Sequence, residues 1–557
     1  MTDTLSSGPR RRFWGWGHAA DELSVSEQQS VKATLAGLGA SAAGVSAPQE
    51  ADVSLRPSRG APPATLQAIL SGSHYDRLTH SYGKSFADLL RMWQRKVPNP
   101  PDWVAFPKDE QGVVDVLDWA SRANIAVIPF GGGTSVCGGV EPAVGESYAA
   151  TVSLDLQHLN RVLEIDPISR AARIQAGAFG PDLEAQLKPH GLTMRHYPQS
   201  FQFSTLGGWI ATRAGGHYAT LATHIDDMVQ STRTVTPAGI LQTRRLPASG
   251  AGPAPDRLII GSEGTCGVIT EAWMRLQTRP RFRAAASITF SSMVKAVACV
   301  RALAQSGLHP TNCRLLDADE VANFRIGDCR SPTLMLGFES ADHVVRHSML
   351  RALEIVAEHG GVYDETAGGG DDGSATGARS GAAGEWRDTF IRMPYLRDPM
   401  LGRGAILDTF ETAVTWDKFD AFYAGVKDGI HSAIRRATGS PGMVSCRFTH
   451  VYADGAAPYF TFAALGSAKA DLDQSLHAWC EIKRAANELV ISLGGTSTHH
   501  HAVGRDHRSG YERESAPLFL SALAASKSVL DPQGVMNPGV LIDPIGRKVG
   551  LSGVLVS

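Results

Sequence analysis

The sequence predicts an α+β protein of several domains, on three observations. The chain has 557 residues, and at roughly 100–200 residues per domain this suggests about three. Strand-like alternation and helix-like periodicity both recur along it. Glycine supplies 58 residues, above the usual share of about 7%, which points to many tight loops.

The elements follow in order. Residues 1–97 read as an N-terminal extension with a flexible linker, because 35–65 are rich in Ala, Gly, Ser and Pro. Order is expected from Leu66. The character changes at Pro107. Asp109 can cap a helix whose Val113, Leu117 and Ala120 share one face. Ile125 to Ile128 reads as a short buried strand leading into the loop Pro129–Ser135. Residues 151–156 alternate as a strand should. Residues 161–166 and 171–176 flank Pro167-Ile168-Ser169 and read as a hairpin. Pro181 opens a helix that ends near Gly191. Residues 98–280 form one domain on this reading.

Residues 281–488 have a different texture and read as a second α+β domain. Helical stretches such as 292–306 alternate with strand-like runs such as 333–338 and 458–463. A Gly-rich insert, 367–384, is expected to be a mobile loop. Residues 489–557 form a closing segment with a His cluster, a helix around 517–530 and the turn Asp531–Gly534.

Composition excludes several function classes. Lys+Arg is 53 and Asp+Glu is 55, and a near-neutral chain without a basic block argues against nucleic-acid binding. No run approaches the roughly 18 apolar residues of a membrane span. Arg10, Arg11 and Arg12 resemble a twin-arginine start, but no apolar segment follows, so export is not expected. The seven widely spaced cysteines include no CxxC pair, so neither a disulfide framework nor a zinc site is expected. A reducing cytoplasm is the simplest compartment.

Four segments combine glycines with Ser or Thr: 131–135, 204–208, 212–216 and 261–267. Glycines let backbone N–H groups approach a ligand closely, and successive N–H groups form an anion-binding nest. None fits the common nucleotide motifs. A dinucleotide fingerprint starting at Gly131 needs Gly where Val136 stands, and no segment ends in GK[ST]. Four such segments within about 140 residues favour one extended, doubly charged ligand.

PFGGGTS (129–135), QSFQFSTLGG (199–208), TRAGG (212–216) and GSEGTCGVITEA (261–272) together resemble the flavin domain of the vanillyl-alcohol-oxidase and p-cresol-methylhydroxylase superfamily. Within it the chain is most similar to the alkyl-dihydroxyacetone-phosphate synthase family. WGWG (14–17), CRLLD (313–317), PYLRD (394–398), CRFTHVY (446–452), PYFTFA (458–463) and THHHAVG (498–504) fall in that family's order. The resemblance implies a two-part FAD-binding domain, an α+β cap over the flavin ring, and a C-terminal segment returning to it. It implies cradling of the pyrophosphate by Pro129, Phe130, Gly131, Gly132, Gly133, Thr134 and Ser135. Further FAD contacts are implied for Gln199, Ser200, Phe201, Gln202, Phe203, Ser204 and Thr205, for Thr212, Arg213, Ala214 and Gly215, and for Glu263, Gly264, Thr265, Cys266, Gly267, Val268 and Ile269. No His lies between Phe130 and Val140, so FAD is expected to be non-covalent.

The family exchanges the acyl chain of an acylated dihydroxyacetone phosphate for a long-chain alcohol, with the flavin as electron sink and no net redox change. The alternative on the same scaffold is an oxidoreductase acting on a 2-hydroxy acid or alcohol. By resemblance, Tyr459, His499, His500, His501 and His196 are catalytic, and Arg397 and Arg314 bind anionic substrate and flavin. From the residues alone, Tyr459 reads as one aromatic of a strand and Arg397 as half of a surface pair with Asp398, while His196 is equally a loop histidine. Three adjacent histidines do not make a metal-ligand spacing, although related 2-hydroxy-acid dehydrogenases use a nearby His as a ligand; no metal is expected. Gln202 stands where the family more often has an acid, and Ala502 where it often has Gly. Cys137 and Cys266 read as small buried hydrophobes. Lipid substrates leave peripheral membrane contact open, and a homodimer likewise.

Overall fold

The computed structural model describes residues 8–41, 43–363, 382–547 and 549, with the backbone alone for 382–391. The N-terminal segment is more structured than its composition predicts. Ser24 caps helix α1 (Val25–Gly37) in a reciprocal capping box with Glu27, and Val31 and Leu35 are buried. Before it, Trp14 packs edge-on against Trp93 at 5.6 Å. The backbone N–H of Trp16 donates to the Asp398 carboxylate at 2.6 Å. The intervening glycines are required: a Cβ on Gly15 would strike that carboxylate, and Gly17 sits at φ +90° against Tyr395. Further on, Arg56 and Arg59 both bond the fully buried side chain of Asp102. Aromatic anchors fix residues 14–16, and within the 35–65 stretch read as a linker Arg56 and Arg59 are tied to Asp102.

Three larger sheets organise the remainder, beside a two-stranded pairing of Leu192–Thr193 with Gln277–Thr278. The first contains β1 (Leu70–Ser71), β2 (Trp103–Ala105), β3 (Ile125–Phe130) and β4 (Ala150–Asp155), in the order β1-β2-β4-β3. β2 and β3 pair with β4 in parallel, and β4 is buried throughout, as parallel strands usually are. Helix α2 (Glu110–Ala123) covers this sheet, its cap supplied by the Asp109 side chain accepting from Gly112 N–H. The second sheet has β5 (Val162–Asp166), β6 (Ala171–Gln175), β7 (Val229–Thr236), β8 (Gly239–Gln242) and β9 (Val268–Arg275), in the order β5-β6-β9-β7-β8. β5 and β6 form the antiparallel hairpin, and the helix after Gly180 ends where Gly191 turns left-handed. Between β6 and β7 lies α3 (Leu206–Thr212), capped by Thr205.

The third, antiparallel sheet contains β10 (Phe282–Thr289), β11 (Asn312–Leu316), β12 (Thr333–Ser340), β13 (Val362–Tyr363), β14 (Ala405–Glu411), β15 (Met443–Val451) and β16 (Gly455–Leu465). They run β13-β10-β12-β11-β15-β16-β14, and Val414–Thr415 adds an eighth strand on β16. Helices α4 (Met293–Gln305), α5 (Arg346–Glu358), α7 (Trp416–Thr438) and α8 (Leu472–Ser492) contribute to the core with Phe410, Phe422, Phe460, Phe462 and Trp479. Each fully buried ring contributes roughly 1.5–3 kcal/mol, and Phe460→Ala would cost about 3–5 kcal/mol. Strand alternation decides what faces the other way. Phe460 and Phe462 are fully buried in that core, whereas Tyr459, Thr461 and Ala463 line the cavity described below.

Most of the Gly-rich insert 367–384 lies outside the described residues, and 382–384 open α6 (Ala382–Leu401). The last helix among the described residues is α9 (Pro517–Leu530), followed by the Asp531–Gly534 turn. It then returns to the first sheet, where Val127 N–H bonds the Val535 carbonyl and Asn537 N–H the Val127 carbonyl. Among the described residues no helix is long and apolar enough to cross a membrane.

Candidate active site

A cavity of about 1930 Å³ is lined by loops of the first two sheets and by the third sheet. That exceeds the roughly 300–1,000 Å³ of a drug-sized pocket. All of Pro129–Ser135 lines it, at the carboxyl end of β3, where open α/β sheets place their ligands. A Cβ on Gly131 would meet Thr205 Oγ1, one on Gly132 the Phe203 carbonyl, and one on Gly264 the Pro129 ring. The loops therefore pass too close for any side chain. Arg11 braces the first loop from behind, its Nη1 donating to the Gly132 carbonyl at 2.8 Å.

Gln199, Ser200, Phe201, Gln202, Ser204, Thr205, Thr212, Ala214, Gly215, Glu263, Gly264, Gly267, Val268 and Ile269 also line the cavity. Phe203, Arg213, Thr265 and Cys266 do not. Phe203 offers its carbonyl behind Gly132, Arg213 pairs with Asp226 at 2.9 Å, Thr265 bonds the Ser262 carbonyl at 2.7 Å, and Cys266 is fully buried. Burial raises the thiols of Cys137 and Cys266, which fits packing rather than reactivity. Burial also pushes the Glu263 carboxyl up to about 7, against the Gly504 and Val503 N–H groups it accepts at 2.8 Å. Asn537, from the returning C-terminal segment, donates to the Glu263 carbonyl at 2.7 Å and lines the cavity.

The opposite wall is built across three strands. Glu411 of β14, Tyr459 of β16 and Arg447 of β15 stand in register, so their side chains share one face. The Arg447 guanidinium lies 3.9 Å from the Tyr459 ring centre, and Tyr459 Oη donates to Thr409 Oγ1 at 2.9 Å. Burial raises the Tyr459 phenol, with Arg447 opposing. Arg447 is itself 1% exposed and paired with Glu320 at 2.6 Å. Arg314 also lines the cavity, and burial, with Arg447 beside it, brings its guanidinium down to about 10. Two buried guanidiniums, one of them paired with Glu320, stand in this wall. Arg397 lines the cavity and donates to the Lys84 carbonyl at 3.0 Å, rather than forming a surface pair with Asp398. Gln202 Oε1 accepts from Tyr395 at 3.3 Å.

Glu411 organises the histidine run. It accepts the backbone N–H groups of His499 (2.8 Å), His500 (3.1 Å) and His501 (2.9 Å). Burial acts against its ionisation, but the rings of His500, His501 and His499 outweigh it and hold the carboxyl well below its usual range. His500 and His501 line the cavity; His499 and His196 do not. His196 is wedged between Trp209, at 5.1 Å between ring centres, and Gly216, and burial drops its pKa to about 3. His450 reaches the cavity from a bulge at Thr449, where the β15–β16 ladder slips a residue. Ring nitrogens of His450, His499 and His500 come within 4.8 Å of one another. His450 Nε2 faces the Gly216 carbonyl at 3.1 Å and so carries the hydrogen, which leaves the lone pair on Nδ1, 3.1 Å from Thr449 Oγ1.

Sequence reasoning missed Glu411, Arg447, His450 and His217. His217 lines the cavity with both ring nitrogens buried and unpartnered among the described residues, as are Arg397 Nε and Asn537 Oδ1. Buried polar atoms without partners imply a bound group. Together with the glycine loops that line the same cavity, they fit a dinucleotide with a polar substrate beyond it.

Comparison with known proteins agrees. Residues 101–244 match the FAD binding domain family and 279–541 the family of FAD linked oxidases, C-terminal domain. The chain is 31% identical over 500 residues to the alkyldihydroxyacetonephosphate synthase of Dictyostelium discoideum, covering 85% of this chain and 78% of that protein. It belongs to the alkyldihydroxyacetonephosphate synthase family. FAD is its cofactor. A solved alkyldihydroxyacetonephosphate synthase structure superposes with a TM-score of 0.78 at 27% identity, covering 95% of this chain and 98% of that one. A p-cresol methylhydroxylase structure, 13% identical with a TM-score of 0.64 over 94% and 99% of the two chains, shares the fold.

Proposed function

We propose that this family member exchanges the acyl chain of an acyl-dihydroxyacetone phosphate for a long-chain alcohol, forming an ether bond on non-covalently bound FAD. One observation carries the reading. A single cavity joins the glycine cradle, the guanidiniums of Arg314, Arg397 and Arg447, and a stretch where α1 and α6 meet the third sheet, in which Leu23, Leu396, Met400, Leu407 and Ala463 stand beside Ser26, Glu27, Ser30 and Thr34. A nucleotide, a phosphate and an alkyl chain each have a matching wall.

Bound FAD would supply an electron sink, held by Pro129–Ser135, Gln199–Thr205, Thr212–Gly215 and Glu263–Ile269. The remaining work falls to side chains. Arg397 and Arg314 grip the substrate phosphate, guanidinium to oxyanion. His500 and His501 meet the substrate from the Glu411-anchored turn and take up or return its proton. Tyr459, raised by burial, serves as a neutral hydrogen-bond donor until the substrate's charge changes the balance. His196 and His499 act behind this front. Lipid substrates and the exposed Leu518 and Phe519 of α9 support a cytoplasmic enzyme that touches membranes peripherally.

The test is anaerobic incubation of purified protein with acyl-dihydroxyacetone phosphate and labelled hexadecanol. Ether product without an electron acceptor is expected. Lasting flavin bleaching by a 2-hydroxy acid, with no ether formed, would replace this reading with the oxidoreductase.

A further inference from the structure

A second, smaller pocket of about 430 Å³ lies behind the histidine run, lined by Arg213, Leu221, Thr223, His224, Tyr452 and His499 among others. It opens to solvent: Leu221 is 69% exposed and the Arg213 side chain 55%. An unbroken series of hydrogen bonds joins it to the main cavity. His500 Nδ1 lies 3.1 Å from His499 Nδ1. His499 Nε2 lies 2.7 Å from Tyr452 Oη, and Tyr452 Oη lies 3.0 Å from Thr223 Oγ1. His500 belongs to the main cavity, the other three to the second pocket.

We infer that Tyr452, with His499 and Thr223, forms a proton relay that carries the substrate's proton from His500 to solvent through the second pocket. This rests on the ether-forming reading above. One consistent arrangement of hydrogens runs outward: His500 Nδ1–H, which also faces Glu411 Oε2 at 3.3 Å, donates to His499, His499 Nε2–H to Tyr452, and Tyr452 O–H to Thr223. A proton arriving at His500 Nε2 is matched by one leaving the Thr223 hydroxyl to water in the outer pocket, the Tyr452 and Thr223 hydroxyls each gaining one hydrogen as they pass one on. Each ring ends neutral, with its hydrogen moved from one nitrogen to the other. No described residue hydrogen-bonds His500 Nε2, which leaves that atom for the substrate. Burial, first among the causes, holds the His499 pKa well below its usual value and lifts the Tyr452 phenol to about 12, which suits neutral carriers. Tyr452 itself touches no substrate; it positions and passes.

The test compares wild type with Tyr452→Phe and Tyr452→Ala, reading kcat, KM, bound FAD and the solvent deuterium isotope effect. Tyr452→Phe should lower kcat by roughly tenfold or more, leave KM and FAD content unchanged, and enlarge the isotope effect. Imidazole, a small proton carrier, should restore Tyr452→Ala in a saturable way and should not restore Tyr459→Phe. A Tyr452→Phe enzyme within twofold of wild type in kcat and isotope effect overturns the relay. So does a loss that imidazole cannot repair and that comes with lost FAD. An independent readout is ¹⁵N-histidine NMR of the holoenzyme, where His499 should be the Nε2–H tautomer; the Nδ1–H tautomer overturns the relay. Wild type that forms no ether would count against the ether-forming reading, and the tautomer would still decide the relay.

Discussion

Glu411→Gln isolates the group on which the histidine run hangs. The buried carboxylate receives three backbone N–H groups and the Thr498 hydroxyl. A glutamine keeps the shape but turns one oxygen into an NH₂. Whichever oxygen is lost, at least one buried N–H then faces a donor, which costs about 1–3 kcal/mol. The bonds that survive fall from charge-assisted to neutral strength, about 1 kcal/mol each. The total is about 3–5 kcal/mol, or roughly 6–20 °C in the melting of a domain of some 200 residues. Thermal melting followed by near-ultraviolet circular dichroism, with ether formation alongside, measures both consequences. The native Glu411 carboxyl sits below its unfolded value, so its contribution is present above pH about 4.5 and is lost as pH falls through the native value. The variant should lose this acid sensitivity. A Glu411→Gln protein that melts within about 2 °C of wild type, with unchanged turnover, would refute the view that this carboxylate holds His499–His501 in place.

Tyr459→Phe should retain FAD and lose most turnover, read as kcat beside the flavin absorbance. Arg447→Met should cost about 3–5 kcal/mol, because it strands buried Glu320; Arg447→Met with Glu320→Gln should recover much of that in denaturant unfolding. Glu263, raised to about 7, binds its proton more tightly folded than unfolded. Its contribution is therefore full below about 4.5 and lost as pH rises through 7, at most about 3 kcal/mol. Glu263→Gln should flatten stability across that window, measured by melting temperature against pH. Acid precipitation of the holoenzyme should leave yellow FAD in the supernatant; colour retained in the pellet would reveal a covalent bond.

Local features were legible in the sequence. The Asp109 cap, the 161–176 hairpin and the glycine loop after β3 each depend on neighbours within a few positions, which a single stretch of sequence displays. Strand alternation through 458–463 already separates Tyr459 from Phe460, once one face is known to be buried. The rest depends on pairings between distant segments. Arg447 matters because β15 lies beside β16, and Glu411 because β14 flanks β16 on the other side. His217 and His450 enter the wall through a loop and a bulge that no periodicity marks. The N-terminal arm was misread for the opposite reason: its abundant small residues concealed a few aromatic and arginine side chains that fix it. By contrast, most of the residues that the resemblance singled out line the cavity, whereas His196, His499, Arg213 and Cys266 lie outside its lining.

The return of the last strand-like segment has a consequence for biogenesis. Val535 and Asn537 pair with Val127, and Asn537 completes the wall begun at Pro129. Some four hundred residues must leave the ribosome between the first part of that wall and the last. The coenzyme compartment thus closes only after this segment has emerged, so early-emerging segments must wait half-assembled, and a chain truncated before Val535 would yield a vessel with one side missing.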